Sequence, residues 1–207
     1  MRPLPRVHAI TDGAVIADPD FGIRAAAIAA GGAPVALHVR DRAATTARLT
    51  AVALRVLALA RPPEAAVFVS GRSDIAAAIG AHGVQLGGGD LTPADARAIM
   101  HHGWIGSSVH SAAEANTAAA GGADFLIVGN IYDTPSHPDR RARGLGLITD
   151  AARVGLPVIA VGGVTVERAG EVKAAGAYGV AAIHALWWAP DPAAATLAML
   201  GPWLEDA

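Results

Sequence analysis

The sequence has no cysteine, which excludes disulfides and thiolate chemistry outright. Charge is scarce as well: 16% of residues are charged and the formal net charge is −2. That balance supplies no overall basic field for nucleic acid. Long apolar runs are also missing. No stretch of about 18 residues escapes Gly, Pro or a charge, so no membrane span is expected. The opening residues, MRPLPRVHAITDG, lack the apolar centre of a secretory signal. The expectation is a soluble cytoplasmic protein that binds neither nucleic acid nor membrane.

What is present is apolar. Hydrophobic residues make up 53% of 207, enough for a large core. Short β-branched runs alternate with Ala-rich segments. Eight runs read as strands: VHAIT (7–11), VALHV (35–39), AVFVS (66–70), GVQLG (83–87), WIGSSV (104–109), FLIVG (125–129), PVIAVG (157–162) and GVAAI (179–183). They are apolar at nearly every position, as parallel strands buried on both faces must be. The segments between them carry helix signals. Thr92-Pro93 supplies an N-cap and a first-turn proline. Ser111 to Glu114 reads as a capping box. Thr165 opens another helix, and Thr45 to Leu59 is long and amphipathic. Gly-Ala pairs at 32–33, 80–81, 122–123 and 176–177 precede alternate strands, the glycine ending a helix in the left-handed conformation. Repeated βα units predict a single (β/α)8 TIM barrel over residues 1–207, with a doubly wound open sheet as the alternative.

In such a barrel the chemistry gathers at the C-terminal ends of the strands. The polar residues there are His38, Arg40, Asp41 and Arg42 after strand two, Ser70 and Arg72 after strand three, and Asp90 after strand four. Strand five adds Ser107, Ser108 and His110; strand six Asn130, Tyr132, Asp133 and Thr134; strand eight His184. Gly162-Gly163 after strand seven, followed by Thr165, suits a phosphate cradle, because glycine lets backbone N–H groups approach an anion. The plain alternative is a tight turn. Arg40 and Arg42 suit a carboxylate or phosphate clamp; the plain alternative is a surface ion pair with Asp41 or a neighbour. Asp90 can ligate Mg²⁺, though one carboxylate makes a weak dedicated site, and it also reads as a cap or turn residue. His101 and His102 are read as solvent-facing. Trp187-Trp188 is read as packing, against the barrel or a second subunit of a homodimer.

Seven segments in order, LHVRDR, SGRSDIA, GVQLGGGDLTP, IGSSVHSAAEA, VGNIYDTPSH with GLGLI, PVIAVGGVT and GAYGVAAI, span nearly the whole chain. Together they resemble the thiamine phosphate synthase and thiazole tautomerase family. The resemblance implies a barrel and a phosphorylated thiazole ligand in thiamine biosynthesis, held by Gly162, Gly163 and the backbone at Ile183 and His184, with Thr134, Arg40, Arg42 and His38 as further contacts. The synthase branch joins a pyrimidine methyl diphosphate to the thiazole phosphate with Mg²⁺; the tautomerase branch moves a proton on a thiazole carboxylate phosphate.

This chain departs from both branches. Ser70-Gly71 stands where the synthase has Asn-Asp, Arg42 where it has lysine, and Thr134-Pro135-Ser136-His137 where its loop reads Thr-x-Thr-Lys. His38 stands in place of a glutamine. Asp90 and Ser108 match. SVHS and the missing Asn-Asp pair resemble the tautomerase, yet Asn130 occupies the place of that branch's catalytic histidine, and an amide cannot act as a general base. His137, in the same loop, is then the best substitute base. The expectation is a tautomerase-like enzyme with Asn130, Ser108 and His137 at its centre. The alternatives are the synthase, which alone requires Mg²⁺ at Asp90, and a non-catalytic thiazole or thiamine phosphate binding protein.

Overall fold

The computed structural model describes residues 3–61, 64–134 and 141–204. Eight strands lie parallel in chain order, and the eighth pairs with the first to close a barrel. They are β1 (Val7–Ile10), β2 (Val35–Val39), β3 (Ala66–Ser70), β4 (Gly83–Leu86), β5 (Trp104–Val109), β6 (Phe125–Val128), β7 (Val158–Val161) and β8 (Gly179–Ala182). Around them run α1 (Gly13–Ala17), α2 (Phe21–Ala29), α3 (Thr46–Leu59), α4 (Ser73–Ile79), α5 (Pro93–Ile99), α6 (Ala112–Ala120), α7 (Gly146–Ala152), α8 (Ala169–Ala174), α9 (His184–Trp187) and α10 (Pro192–Leu204).

The unbroken apolarity of the strands has two causes, because successive side chains point to opposite faces. In β2, Val35, Leu37 and Val39 pack outward under the helices. Ala36 faces the barrel interior with Leu4, Ile10, Ala66, Phe68, Phe125, Ile127, Ile159 and Ala181. Helices meet the outer layer through one stripe each; α3 buries Leu49, Ala53 and Val56, three or four residues apart, as its sequence period requires. Thr45 caps α3 through the N–H of Arg48, and Thr92 caps α5 through that of Asp95. The four glycines of the Gly-Ala pairs all take positive φ, between 66° at Gly80 and 102° at Gly176.

One helix start and one capping bond differ from the sequence reading. α8 begins at Ala169, four residues after Thr165, because residues 165–168 form a turn in which Arg168 N–H bonds Thr165 O (3.2 Å). At α6, Ser111 Oγ accepts from Glu114 N–H as a capping box requires, but the return bond goes to His110 N–H (2.8 Å) instead. The His110 imidazole meets the same carboxylate oxygen at 3.2 Å and draws it one residue back.

The interior is packed by pairing large side chains with glycines. Phe68 and Phe125 meet edge to face at 5.7 Å between centroids. A Cβ on Gly83 would overlap the Phe68 ring, and one on Gly106 would overlap Phe125 and Gln85. Two histidines complete this layer. His38 stacks on Phe68 (4.6 Å, 2° between planes), and its Nε2 lies 2.7 Å from His8 Nδ1. His8 Nε2 lies 3.0 Å from the carbonyl of Pro5. A carbonyl only accepts, so the His8 proton sits on Nε2 and Nδ1 is an acceptor. His38 must then donate from Nε2, which leaves its Nδ1 a bare lone pair; that atom is buried and has no hydrogen-bond partner among the described residues. Burial first, and the neighbouring imidazole second, hold His38 well below the usual histidine range; burial brings His8 down to about 4, against a smaller opposing effect of its bond to Pro5.

Candidate functional site at the barrel mouth

The C-terminal ends of the strands carry a set of polar groups. Arg40 follows β2, and its backbone is locked on both sides by Thr11: the Arg40 N–H donates to Thr11 Oγ1 (2.8 Å), which donates to Arg40 O (3.0 Å). Its guanidinium is half-buried and makes no hydrogen bond or ion pair among the described residues, and neither does that of exposed Arg42. The plain alternative, an ion pair with Asp41 or a neighbour, is not formed among the described residues, and Asp41 Oδ1 instead accepts from Ala43 N–H (2.9 Å). Burial and then the charge of Arg42 push the Arg40 pKa below its ordinary value, with Asp12 and Asp41 opposing. An anion bound here would relieve both the desolvation and the repulsion.

Asp90 closes its own turn after β4, its Oδ2 accepting from Gly87 N–H (2.7 Å). A Cβ on Gly71, which has φ +71°, would come within 2.9 Å of Asp90 Oδ1. The ends of β3 and β4 therefore adjoin, and position 71 presents hydrogen where a side chain would touch the carboxylate. Ser108 on β5 accepts from Gln85 Nε2 (3.0 Å), which leaves its own hydroxyl proton for another acceptor.

The β6 and β7 ends are joined by their backbones. Ile131 N–H bonds Val161 O (2.9 Å) and Tyr132 N–H bonds Gly162 O (2.9 Å). Gly162 and Gly163 both have positive φ, 96° and 64°. A Cβ on Gly162 would press on Asn130, and one on Gly163 on Tyr132 and Asp133. Both glycines are thus required by the close approach of the β6 loop. Asn130 is 8% exposed, with Nδ2 3.4 Å from Tyr132 O. Thr134 is half-buried. The returning chain is pinned alongside: Arg143 N–H bonds Asn130 O, Gly144 N–H bonds Ile131 O, and Ala142 N–H bonds Asp133 Oδ1, each at 3.0 Å. Ile183 precedes the short α9, and His184 is exposed at its start.

The mouth thus gathers Arg40, Arg42, Asp90, Ser108, Asn130, Thr134, Gly162, Gly163, Ile183 and His184 at strand ends. His38 lies one layer lower, in the closed interior at 0% exposure and bonded to His8, rather than at the mouth where the sequence reading expected it. Inward alternation on β2 carried it one layer below Arg40. His137, the expected substitute base, lies outside the described residues. Arg72 is turned to Asp74 (2.6 Å) and Thr46 (2.9 Å), and His110 to Glu114. His101 and His102 are exposed, as expected, and Trp187 packs on Phe21 at 5.5 Å. The sequence reading gave no role to Tyr132, Arg168 and Glu171. The Tyr132 hydroxyl donates to Glu171 (2.6 Å), the Arg168 guanidinium lies 4.3 Å from the Tyr132 ring centroid, and its Nη1 donates to Gly163 O (2.7 Å). Their one sequence signal is an Arg and a Glu placed just after a Gly-Gly turn.

Comparison with known proteins adds the following. A family model described as thiamine monophosphate synthase matches residues 7–186. Thiamine-phosphate synthase of Methanospirillum hungatei is 42% identical over 169 residues, 80% of this chain and 82% of that protein. That of Salinispora arenicola is 39% identical over 206 residues, 97% and 98% of the two chains. The structure of thiamine phosphate pyrophosphorylase from Pyrococcus furiosus superposes with a TM-score of 0.84 at 30% identity, over 97% of this chain and 96% of that one. The tautomerase-like leaning of the sequence reading finds no support in these names.

Proposed function

The chain belongs to the thiamine monophosphate synthase family, and on that premise we propose that it joins a pyrimidine methyl diphosphate to a thiazole phosphate, releasing diphosphate. The observation that carries this reading is the Arg40–Arg42 doublet, two guanidinium groups that make no side-chain hydrogen bond or ion pair among the described residues, on a different strand end from the Gly162-Gly163 turn. Two anionic substrates call for two anion sites. The thiazole phosphate would lie with its phosphate at Gly162-Gly163 and the backbone at Ile183 and His184. The diphosphate would lie at Arg40 and Arg42.

The chemistry then explains why Asn130 suffices. The thiazole nitrogen uses its lone pair to form a bond to the pyrimidine methylene carbon. The carbon–oxygen bond breaks, and its electron pair leaves with the diphosphate. No proton moves between substrates, so a titrating group beside the ring is unnecessary. An amide can orient the ring by hydrogen bonding. What the reaction needs is stabilisation of charge developing on the leaving diphosphate, which the two guanidinium groups offer.

The family resemblance implies Mg²⁺. Among the described residues no three ligating side chains cluster. Asp90 keeps one carboxylate oxygen beyond its bond to Gly87, and Mg²⁺ is commonly held by one or two carboxylates together with substrate phosphates. The residues therefore fit an ion that arrives with the diphosphate. Asp90 would hold it, and it would neutralise the leaving group.

The tautomerase-like reading keeps one observation, the absence of a carboxylate at Ser70-Gly71. The test supplies the pyrimidine diphosphate, the thiazole phosphate and Mg²⁺ together, and separately the thiazole carboxylate phosphate tautomer alone. Thiamine phosphate with stoichiometric diphosphate is expected. Isomerisation of the tautomer without any coupling product would reject the proposal, and tight binding without turnover in either assay would favour a non-catalytic binding protein.

A further inference from the structure

The Gly162-Gly163 turn is held from behind by three donors on three successive carbonyls. Val161 O accepts from Ile131 N–H, Gly162 O from Tyr132 N–H, and Gly163 O from Arg168 Nη1 (2.7 Å). In a trans peptide the carbonyl and the following N–H point in opposite directions. Fixing these carbonyls therefore turns the N–H groups of Gly162, Gly163 and Val164 the other way. None of the three N–H groups meets a backbone acceptor among the described residues. Unpaired backbone donors side by side are disfavoured unless something accepts from them, and successive N–H groups in one concavity form an anion site.

The third donor differs from the other two, because it is a side chain and can be changed alone. The Arg168 guanidinium lies over the Tyr132 ring at 4.3 Å, and the Tyr132 hydroxyl is anchored to Glu171 at 2.6 Å. Burial, and then the adjacent Glu171, push the Tyr132 phenol up to about 12, so this anchor stays protonated throughout the neutral range. Arg168 is thus committed at the back of the turn, and its charge polarises the Gly163–Val164 peptide, strengthening the Val164 N–H as a donor.

We infer that Arg168, braced by Tyr132 and Glu171, is a positioning residue for the thiazole phosphate: it aims the Val164 N–H at the phosphate without touching it. This rests on the reading that the phosphate binds at Gly162-Gly163.

Calorimetric titration of the whole protein tests both without requiring turnover. Three ligands are compared: thiazole phosphate, the corresponding thiazole alcohol and pyrimidine methyl diphosphate. Arg168→Met should weaken thiazole phosphate about tenfold, the scale of one charge-assisted hydrogen bond. It should leave the alcohol and the diphosphate within about twofold. A merely structural role would weaken all three together, and that result would overturn the inference. Gly163→Val is the control for the underlying reading, since its side chain would meet Tyr132 and Asp133 and close the turn. If Gly163→Val leaves thiazole phosphate binding intact, the phosphate is elsewhere and both ideas fail. If Gly163→Val weakens it and Arg168→Met does not, the phosphate reading stands and the role of Arg168 falls. Should Arg168→Met fail to fold, Arg168→Lys replaces it. One ammonium cannot serve the ring and the carbonyl as a fork does, so a loss of about threefold, confined to the phosphate ligand, is expected; no loss would overturn the inference.

Discussion

Acidification should destabilise this protein through the His8–His38 pair, and the size of the effect follows from the structure. Both rings are buried at 0% exposure, surrounded by Phe68, Phe125 and other apolar side chains of the interior. In the unfolded chain each titrates near 6.5; in the folded barrel His8 titrates at about 4 and His38 well below its ordinary value. Below pH 6.5 the unfolded state therefore binds protons that the folded state refuses. Stability falls as pH drops through 6.5, and the His8 contribution levels off only below its folded value. For His8 the full loss is about 3 kcal/mol, of which about 2 kcal/mol is already present at pH 5. His38 contributes in the same direction, because burial first and the neighbouring imidazole second disfavour its charged form. Urea unfolding at pH 7.5, 6.0 and 5.0 measures this directly. The comparison is His38→Gln, which cannot titrate and retains a polar group facing His8. The parent should lose more stability than the variant between pH 7.5 and pH 5.0. Parallel pH profiles for the two proteins would show that the pair is not buried neutral, and would refute the tautomer assignment with it.

Three further outcomes are expected. Arg40→Ala should raise KM for the pyrimidine diphosphate about tenfold or more while leaving thiazole phosphate binding unchanged; equal loss for both substrates in steady-state kinetics would contradict the division of the mouth into two anion sites. Asp90→Asn should raise the Mg²⁺ concentration needed for half-maximal rate, since the neutral amide replaces the one family metal carboxylate left in place; an unchanged Mg²⁺ titration would remove Asp90 from the metal site. Asp124→Ala should cost about 2 kcal/mol in urea unfolding, because Asp124 Oδ2 accepts from both Ile105 N–H (2.7 Å) and Arg97 (2.6 Å); a loss below about 0.5 kcal/mol would mean solvent replaces those bonds.

The barrel was legible because its strands are buried on both faces, so apolarity without alternation marked them, and because the left-handed glycines punctuated every second unit. Arg40, Arg42 and the Gly-Gly turn were legible by position, at strand ends in a fold whose strand ends converge. The interior placement of His38 was not legible, for a local reason. A strand's two faces look alike when both are apolar, and nothing along the chain shows that His8, 30 residues earlier, supplies the partner that holds the ring inside. The Tyr132–Glu171 bond spans 39 residues and two βα units, a separation over which a single sequence carries no pairing signal. The α8 start was misplaced because Thr165 has the character of a cap, while Arg168 uses the same stretch to reach back to Gly163.

The glycines beneath Phe68 and Phe125 bear on how this lineage can change. Gly83 and Gly106 are not turn residues; each is the empty half of a pair whose full half is an aromatic ring on the neighbouring strand. Enlarging one half alone overfills a closed ring of strands that cannot widen locally, because every strand is bonded on both sides. A side chain at 83 or 106 therefore requires a smaller residue at 68 or 125 first, and also a shift of the Trp104 carbonyl or the Gln85 amide that it would meet. The order of those two steps is imposed by geometry, and relatives with a side chain at either glycine position should carry a reduced partner.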